Sequence, residues 1–228
     1  MAEQRESTFQ PVCLIAGAGP GLGAAIAERY ATEGFVAYLL SRSPDRLNAV
    51  VEPMLAKGLQ VVRVKCDLRS EKSLSDAFDF MRRNAGRCDV VIYNAFADSE
   101  NLATHLTPEA LFDDFKVNVA AALSVVRMTA GPIGLGRPGT ILFSGCGLAR
   151  FPSADRTSLS VGKAGLRALV ECLAEELEPR GIRVGVVTID GTVSADAGDL
   201  AAIADLYWQL FVDGAETVRR EARWPDER

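Results

Sequence analysis

The sequence predicts a three-layer α/β/α fold built on one doubly wound, parallel sheet of about seven strands. Apolar runs of five to seven residues alternate with longer segments of helical periodicity, which is typical of successive βαβ units. Near-continuous apolarity, as in Val90–Tyr93, indicates strands covered by helices on both faces. No linker, repeat or low-complexity run lies between Val12 and Trp208, so residues 11–228 are expected to form a single domain after a flexible arm of residues 1–10.

The pattern also places each element along the chain. Strands are predicted at residues 12–16, 35–40, 59–64, 89–93, 140–143 and 182–188, with a short seventh at 216–221. Helices are predicted at 21–33, 45–57, 70–84, 108–130, 157–178 and 199–211. With right-handed crossovers, ligands in such a sheet bind beyond the carboxyl ends of the strands, where the strand order reverses.

The composition excludes several classes of function. The chain is 48% hydrophobic and 24% charged with a net charge of −5, which argues against a nucleic-acid partner. No run approaches the ~20 apolar residues of a membrane span, and no signal peptide is recognisable, so a cytoplasmic location and no membrane partner are expected. Five widely spaced cysteines without a CxxC motif and a single histidine predict no disulfide framework and no metal site.

A glycine-rich loop follows the first strand and opens the first helix: Ala16-Gly17-Ala18-Gly19-Pro20-Gly21-Leu22-Gly23. Gly17 permits a tight turn, Gly21 lets the backbone approach a phosphate, and Gly23 lets the helix pack closely on its strand. Amide groups and the positive end of the helix dipole would then face the pyrophosphate of a dinucleotide. The alternative is a turn that merely packs tightly. The strand before and the helix after favour a Rossmann-type nucleotide site.

The end of the second strand bears on which nucleotide binds. It reads Leu40-Ser41-Arg42-Ser43, with no carboxylate to accept from the ribose 2′-hydroxyl. Arg42 could instead form charge-assisted hydrogen bonds to a 2′-phosphate. The sequence therefore favours NADP(H) over NAD(H), unless Arg42 is only a solvated surface charge.

The GxxxGxG spacing of the glycine loop resembles the short-chain dehydrogenase/reductase family, and later motifs follow in that family's order over about residues 12–211. The resemblance implies that the cofactor is contacted at Asp67, Leu68, Asn94, Ala95, Lys163, Gly191 and Val193, besides the loop residues Gly17, Gly19, Pro20, Gly21, Leu22 and Gly23 and the strand-end residues Ser41 and Arg42. It also implies catalytic-site roles for Asn118 and Lys163. Phe96 replaces the glycine of the family's Asn-Ala-Gly motif.

The catalytic pattern of the family is broken at two positions. The family's serine and tyrosine positions hold Cys146 and Leu159, while its lysine remains as Lys163. The phenol whose proton passes to or from the substrate oxygen is therefore absent, because a leucine cannot donate and a thiol is a weak donor. An atypical oxidoreductase with an unidentified proton donor is the leading interpretation.

Three explanations of the missing phenol stay open. In the first, a neighbour substitutes: Thr157, Ser158, Ser160, Ser144, or Lys163 itself through water. Ser158 and Ser160 point about 100° away from position 159 on a helix, which argues against them. In the second, the protein performs non-redox chemistry of a lyase, cyclase or aldol type. In the third, it binds nucleotide and catalyses nothing.

The C-terminal part carries the remaining expectations. The resemblance places a substrate lid at about residues 193–212, with an apolar face of Leu206, Tyr207, Leu210 and Phe211. That face implies a small, partly hydrophobic carbonyl or alcohol substrate. Ile189-Asp190-Gly191 and Tyr207-Trp208-Gln209-Leu210 resemble a subgroup generally described only as oxidoreductases. Asp190 is either a pocket carboxylate or a loop residue that caps neighbouring amides. The family resemblance also implies a homodimer or homotetramer.

Overall fold

Seven parallel strands run through the centre of the computed structural model, which describes residues 10–99, 102–130, 139–191, 193, 197–213 and 220–225. The strands are β1 (Val12–Ala16), β2 (Val36–Ser41), β3 (Val61–Lys65), β4 (Val90–Tyr93), β5 (Thr140–Cys146), β6 (Arg183–Ile189) and β7 (Glu221–Trp224). Their order in the sheet is β3-β2-β1-β4-β5-β6-β7, and every neighbouring pair is parallel. The predicted doubly wound α/β fold is confirmed.

Helices cover both faces of this sheet. They are α1 (Leu22–Thr32), α2 (Pro44–Ala56), α3 (Glu71–Asn84), α4 (Pro108–Phe115), α5 (Ala121–Ala130), α6 (Thr157–Leu177) and α7 (Ala197–Val212). Ser43, Ser70 and Thr107 start α2, α3 and α4, because each hydroxyl accepts a hydrogen bond from the amide three residues later. Within the described ranges, no helix combines the length and the apolarity that a membrane crossing requires.

Alternation along the strands divides the interior into two cores. Leu14 and Val91 point to the face covered by α3, α5 and α6, whereas Ile15 and Ile92 point to the face covered by α1, α2 and α7. Successive residues of a strand face opposite sides, so strands that are apolar throughout must be covered twice. This explains the unbroken apolar runs of β1 and β4 and fixes the helices in two layers.

Most elements lie within two residues of their predicted bounds, and three depart further. Strand β5 continues past Phe143 to Cys146, because residues 144–146 pair with residues 187–189 of β6. The helix predicted at 108–130 is interrupted by a π-helical turn at Lys116–Ala120. Strand β7 begins at Glu221, the residue at which the predicted strand 216–221 ends. The strand forms there because Ala222 and Trp224 alternate as inward-facing apolar residues. Residues 216–219 lie outside the described part of the chain.

The segment expected to form a substrate lid is mostly core helix instead. Residues 197–212 form α7, which packs against α1. Tyr207 and Leu210, expected on the lid's apolar face, are buried in the core on the α1 side of the sheet, and Leu206 and Phe211 pack against that core. The expectation of a lid at 193–212 was wrong for these residues, because the apolar periodicity that suggested a substrate surface is satisfied by helix packing.

Arg183 anchors the end of α7 and allows a test of this packing. Its guanidinium donates to the carbonyls of Leu210 and Phe211 and to the Thr140 hydroxyl, 3.0 Å away. Replacing it, Arg183→Met, should lower the free energy of unfolding by about 1.5–3 kcal/mol, because hydrogen bonds from a charged group to helix-terminal carbonyls are lost. Urea denaturation measures the change.

Lys72→Met serves as the control, since it removes an exposed ion pair with Asp76 on α3. Exposed pairs contribute little, so this variant should unfold close to the wild-type midpoint. Equal destabilisation by both substitutions would contradict the anchoring role of Arg183.

Candidate functional site

The candidate site lies at the carboxyl edge of the sheet between β1 and β4. Strand order reverses there, since β2 and β3 lie on one side of β1 while β4 and β5 lie on the other. The chain leaves neighbouring strands in opposite directions at such a point, which opens a crevice for ligands. The glycine loop leaves β1 at this crevice.

The glycine loop is held by close backbone packing. Gly17 has a φ of +94°, and a Cβ on it would lie only 2.8 Å from the Ala95 Cβ and closer still to the Ala95 backbone. A Cβ on Gly23 would lie 2.9 Å from the Gly17 carbonyl oxygen. Any side chain at these two positions would therefore push the loop away from β4 or push α1 away from the loop.

Two other glycines of the loop face open space. A Cβ on Gly19 or on Gly21 would meet nothing within 4 Å. Gly21, with a φ of +98°, is also the N-cap of α1, and no side chain caps that helix start. Pro20 and Leu22 complete this turn. A helix start of this kind attracts anions, because its first amides and the helix dipole are directed outward. The cradle fits the pyrophosphate of a dinucleotide.

The predicted adenosine end of the site lies beside β1. Ser41 ends β2, and Arg42 follows it with an exposed side chain that forms no ion pair among the described residues. The Asp67 amide donates to the Ser73 hydroxyl, and the Asp67 carboxylate accepts from the Arg69 amide. Leu68 packs against the core. Because the Cys66 amide donates to the Ser41 carbonyl, the ends of β2 and β3 lie side by side.

Asn94 joins the glycine loop to the neighbouring strands. Its Nδ2 donates to the Gly17 carbonyl over 3.0 Å, and its Oδ1 accepts from the Ser144 hydroxyl over 2.8 Å. Ala95 packs directly against Gly17. The two residues that the resemblance assigned to the cofactor thus form the floor on which the loop rests.

Asn118 lies in the π-helical turn between α4 and α5. Its side chain is buried and forms two hydrogen bonds with the Ala97 backbone, accepting from the amide over 2.9 Å and donating to the carbonyl over 2.8 Å. A Cβ on Gly162 would lie 2.5 Å from Asn118 Nδ2, so α6 can approach only because Gly162 has no side chain. π-helical turns are frequent at functional sites.

Lys163 is the buried charge of the site. Only 6% of the residue is exposed, and its Nζ donates to the Ser144 carbonyl over 2.7 Å. The Phe96 ring lies 5.9 Å from the same Nζ. Burial lowers the pKa of Lys163 to about 8, although the electrostatic influence of the neighbouring Cys146 acts in the opposite direction. Burial therefore favours the neutral amine over the ammonium.

Leu159 and Cys146 lie near this lysine. Leu159 precedes Lys163 by one turn of α6 and is buried, and Cys146 ends β5 half-buried. Gly147 follows, and a Cβ on it would collide with the Asp190 carboxylate. Asp190 also contacts Arg223 at 3.9 Å, so it is a paired carboxylate at the ends of β5 and β6.

The hydroxyls adjacent to Leu159 are engaged elsewhere. Ser158 donates to Asp114 over 2.7 Å, Thr157 donates to the Ala154 carbonyl over 2.9 Å, and the Ser160 hydroxyl accepts from the Ser153 amide over 3.2 Å. Ser158 and Ser160 are buried as well. The hypothesis that one of these three replaces the phenol has no support in these contacts.

Two further predicted cofactor residues lie after β6. Gly191 has a φ of +86° and an exposed position, whereas Val193 packs against the core on the α1 side. Thr192 falls outside the described residues. Among the described residues, no group of three His, Cys, Asp or Glu side chains converges as a metal site would require.

The contact between Tyr207 and Ser144 could not be predicted from the residue pattern. Their hydroxyl oxygens lie 2.6 Å apart, although α7 and β5 are 63 residues apart in the chain at these positions. Tyr207 stood in an apolar helical stripe, and Ser144 followed an apolar strand. Neither pattern indicates a partner, since periodicity reports only which face of an element is buried.

Comparison with known proteins identifies the chain. The model of the short chain dehydrogenase family matches residues 11–200. This chain belongs to that family. It is 29% identical over 177 residues to a tropinone reductase-like protein of Erythroxylum coca, covering 77% of this chain and 67% of the relative. It is 25% identical over 209 residues to the 2,3-dihydro-2,3-dihydroxybenzoate dehydrogenase of Bacillus subtilis, covering 91% and 76% of the two chains.

A solved relative has the same architecture. A metagenomic short-chain oxidoreductase in complex with NADP superposes with a TM-score of 0.83 at 26% identity, covering 93% of this chain and 96% of the other. The family membership and the single parallel sheet predicted from the motifs are both confirmed.

Two glycine substitutions separate loop packing from ligand binding. Gly17→Ala should lower the free energy of unfolding by about 1–3 kcal/mol, because its methyl group meets the Ala95 backbone. Gly19→Ala has room for its methyl group and should unfold like the wild type, yet bind NADPH about tenfold or more weakly, because the methyl enters the phosphate cradle. Thermal unfolding and fluorescence titration report the two effects. Unchanged NADPH affinity in Gly19→Ala would place the phosphates elsewhere.

Proposed function

We propose that this protein is an atypical NADP(H)-dependent oxidoreductase that interconverts a carbonyl and an alcohol in a small, partly hydrophobic substrate. The observation that carries the proposal is Lys163: an amine in a buried setting, with a pKa of about 8, at the carboxyl end of the sheet that also holds the open glycine cradle. A group that titrates near the working pH is suited to general acid–base catalysis.

NADP(H) is the proposed nucleotide. The glycine loop and the start of α1 would hold its pyrophosphate, and Arg42 would hold the 2′-phosphate. Asp67 and Leu68 would contact the adenine, and Asn94, Ala95, Gly191 and Val193 would line the remaining length of the nucleotide. The NADP bound by the metagenomic relative supports this choice over NAD(H).

The chemistry needs a proton donor beside the substrate oxygen. When bound, a reduced nicotinamide would supply the hydride for the carbonyl carbon. The Lys163 ammonium would donate a proton to the substrate oxygen and so neutralise the charge that develops there. Leu159 and Phe96 keep the surroundings of Lys163 apolar, and Asn118 fixes the loop that carries Phe96 through its bonds to Ala97. Cys146, at the family's serine position, borders this space.

The role of Lys163 predicts a distinctive pH dependence. Reduction requires the protonated amine, so kcat for reduction should be constant below about pH 8 and fall above it, while alcohol oxidation should rise through the same pH range. Steady-state kinetics from pH 6 to pH 10 measure both limbs, with NADPH affinity measured separately at each pH. Lys163→Met should remove both the fall of the reduction rate and the rise of the oxidation rate with pH. A reduction rate that stays constant to pH 10 would rule out Lys163 as the acid.

Leu159→Tyr tests whether the pocket lacks only a phenol. A tyrosine one helical turn before Lys163 restores a positioned acid, which typically contributes a factor of about 10²–10⁴ in rate. We expect carbonyl reduction with NADPH to accelerate, measured as absorbance loss at the nicotinamide band. Leu159→Phe is the matched control, because it adds the ring without the hydroxyl. The proposal fails here if both variants change the rate equally.

Arg42 is tested through the choice of nucleotide. Arg42→Ala should weaken NADPH binding about 10- to 100-fold, the equivalent of the charge-assisted hydrogen bonds lost, and leave NADH binding unchanged. Calorimetric titration with both nucleotides measures the ratio. Arg83→Ala, an exposed arginine on α3, is the control for loss of charge. A parallel loss of affinity for NADPH and NADH would refute recognition of the 2′-phosphate by Arg42.

The presence of leucine at position 159 also supports a second candidate function. Without a phenol, the protein could perform non-redox carbonyl chemistry of a lyase, cyclase or aldol type, or bind nucleotide without catalysis. Deuteride transfer from 4-deuterated NADPH to a panel of carbonyl compounds separates the candidates. Deuterium in the product supports the oxidoreductase, whereas tight NADPH binding with no transfer across the panel supports the second candidate.

A homodimer or homotetramer is proposed as the assembly. Exposed apolar side chains on three helices support it: Phe112 on α4, Leu123 on α5 and Val161 on α6. The cytoplasmic location stays a prediction from the sequence.

A further inference from the structure

Tyr207 has a buried hydroxyl that the proposed reaction does not use. The residue lies on α7 with none of its surface exposed, and its hydroxyl oxygen is 2.6 Å from the Ser144 hydroxyl on β5. Burial raises the pKa of Tyr207 well above its usual value, so the phenol stays protonated. It does not reach solvent, and its hydroxyl is committed to a protein partner.

The direction of the hydrogen bonds follows from counting protons. Asn94 Oδ1 can only accept, so the single proton of the Ser144 hydroxyl points to it, over 2.8 Å. The short contact between Tyr207 and Ser144 must then be donated by Tyr207. Asn94 extends this series of hydrogen bonds, because its Nδ2 donates to the Gly17 carbonyl over 3.0 Å. Four groups form one directed relay, from Tyr207 through Ser144 and Asn94 to Gly17.

The relay fixes the orientation of the Asn94 amide. If that amide were flipped, its oxygen would face the Gly17 carbonyl, and two acceptors would oppose each other. The Gly17 carbonyl opposes the flip because it can only accept, and the proton that Tyr207 donates to the Ser144 hydroxyl leaves Ser144 to donate its own proton to Asn94 Oδ1. Buried chains of this kind are strengthened by their neighbours when every member is satisfied.

Tyr207 also joins the relay to the helix that begins at the cradle. Its backbone carbonyl accepts from the Tyr30 hydroxyl of α1 over 3.0 Å, and Arg29 pairs with Asp205 over 2.6 Å between the same two helices. One residue of α7 therefore contacts α1 through its carbonyl and the ends of β5 and β4 through its hydroxyl. These are the elements between which the glycine loop is held.

We infer that Tyr207 is a positioning residue: acting through Ser144 and Asn94, it holds the Gly17–Gly23 loop in the shape that receives the diphosphate of the nucleotide. The inference deepens the proposed function and rests on it for the identity of the ligand. The shape of the loop itself can be measured without ligand.

Tyr207→Phe is the decisive variant, and Tyr30→Phe is its matched control. Each removes one buried phenolic hydroxyl between α1, α7 and the sheet, but only Tyr207 donates to Ser144. Tyr207→Phe should weaken NADPH binding about fivefold, typical of one lost hydrogen bond, and speed amide hydrogen exchange at residues 17–23 in the nucleotide-free protein. Tyr30→Phe loosens the docking of α7 on α1 but keeps the bond to Ser144, so it should lower thermal stability by a similar amount and change NADPH affinity and exchange at residues 17–23 less than Tyr207→Phe does.

A double-mutant cycle with Ser144→Ala tests whether Tyr207 acts through Ser144. In the Ser144→Ala background, Tyr207→Phe should add no further loss of NADPH affinity, since the relay is already broken. Ser144→Thr keeps a hydroxyl and should restore most of the affinity. Additive effects, or equal effects of Tyr207→Phe and Tyr30→Phe on affinity and exchange, would overturn the inference.

The outcomes also separate this inference from the proposed function. A wild-type protein that binds neither NADPH nor NADH refutes the proposed function, while faster exchange at residues 17–23 in Tyr207→Phe still supports the relay. A wild-type protein that binds NADPH, with a Tyr207→Phe variant equal to it in affinity and exchange, refutes the relay alone.

Discussion

The contact between the glycine loop and the end of β4 is the constraint on which the site depends. Gly17 can lie against the backbone of Ala95 only because it has no side chain, and this contact fixes where the chain turns after β1. The position of this turn determines where α1 begins, and the absence of a Cβ on Gly23 lets α1 pack closely against the loop. The turn that we propose as the phosphate cradle therefore depends on backbone packing, which the Asn94 side chain supports through its bond to the Gly17 carbonyl.

The parts of the fold that sequence could predict are those set by local rules. Strand β1, the glycine loop and α1 follow from an apolar run, a set of glycines and a helical stripe within about twenty residues. Asn118 and Lys163, which the motif order assigned to the site, bond to Ala97 after β4 and to Ser144 on β5, because a parallel sheet brings successive loops to one edge. Local pattern plus right-handed crossover leaves few alternative arrangements.

The features that the sequence could not predict depend on contacts between residues far apart in the chain. The apolar stripe of α7 shows that one face is covered, but substrate and helix α1 would satisfy it equally, and the structure has α1. The hydroxyls of Ser144 and Tyr207 lie in apolar surroundings, and each hydroxyl's partner belongs to a different element. The π-helical turn carries Asn118, and the close contact of Asn118 with Gly162 on α6 is one that no pattern within α4 and α5 contains.

Ser144 contacts both the residues that support the glycine loop and the buried amine of Lys163. Its hydroxyl belongs to the relay that supports the cradle, while its carbonyl accepts from Lys163. Among the described residues this carbonyl is the one hydrogen-bond acceptor of the amine, which can donate three protons when charged. Burial without a second acceptor disfavours the ammonium and lowers its pKa. Under the proposed function, a substrate oxygen would supply a second acceptor, and the lowered pKa would favour transfer of a proton from Lys163 to that oxygen.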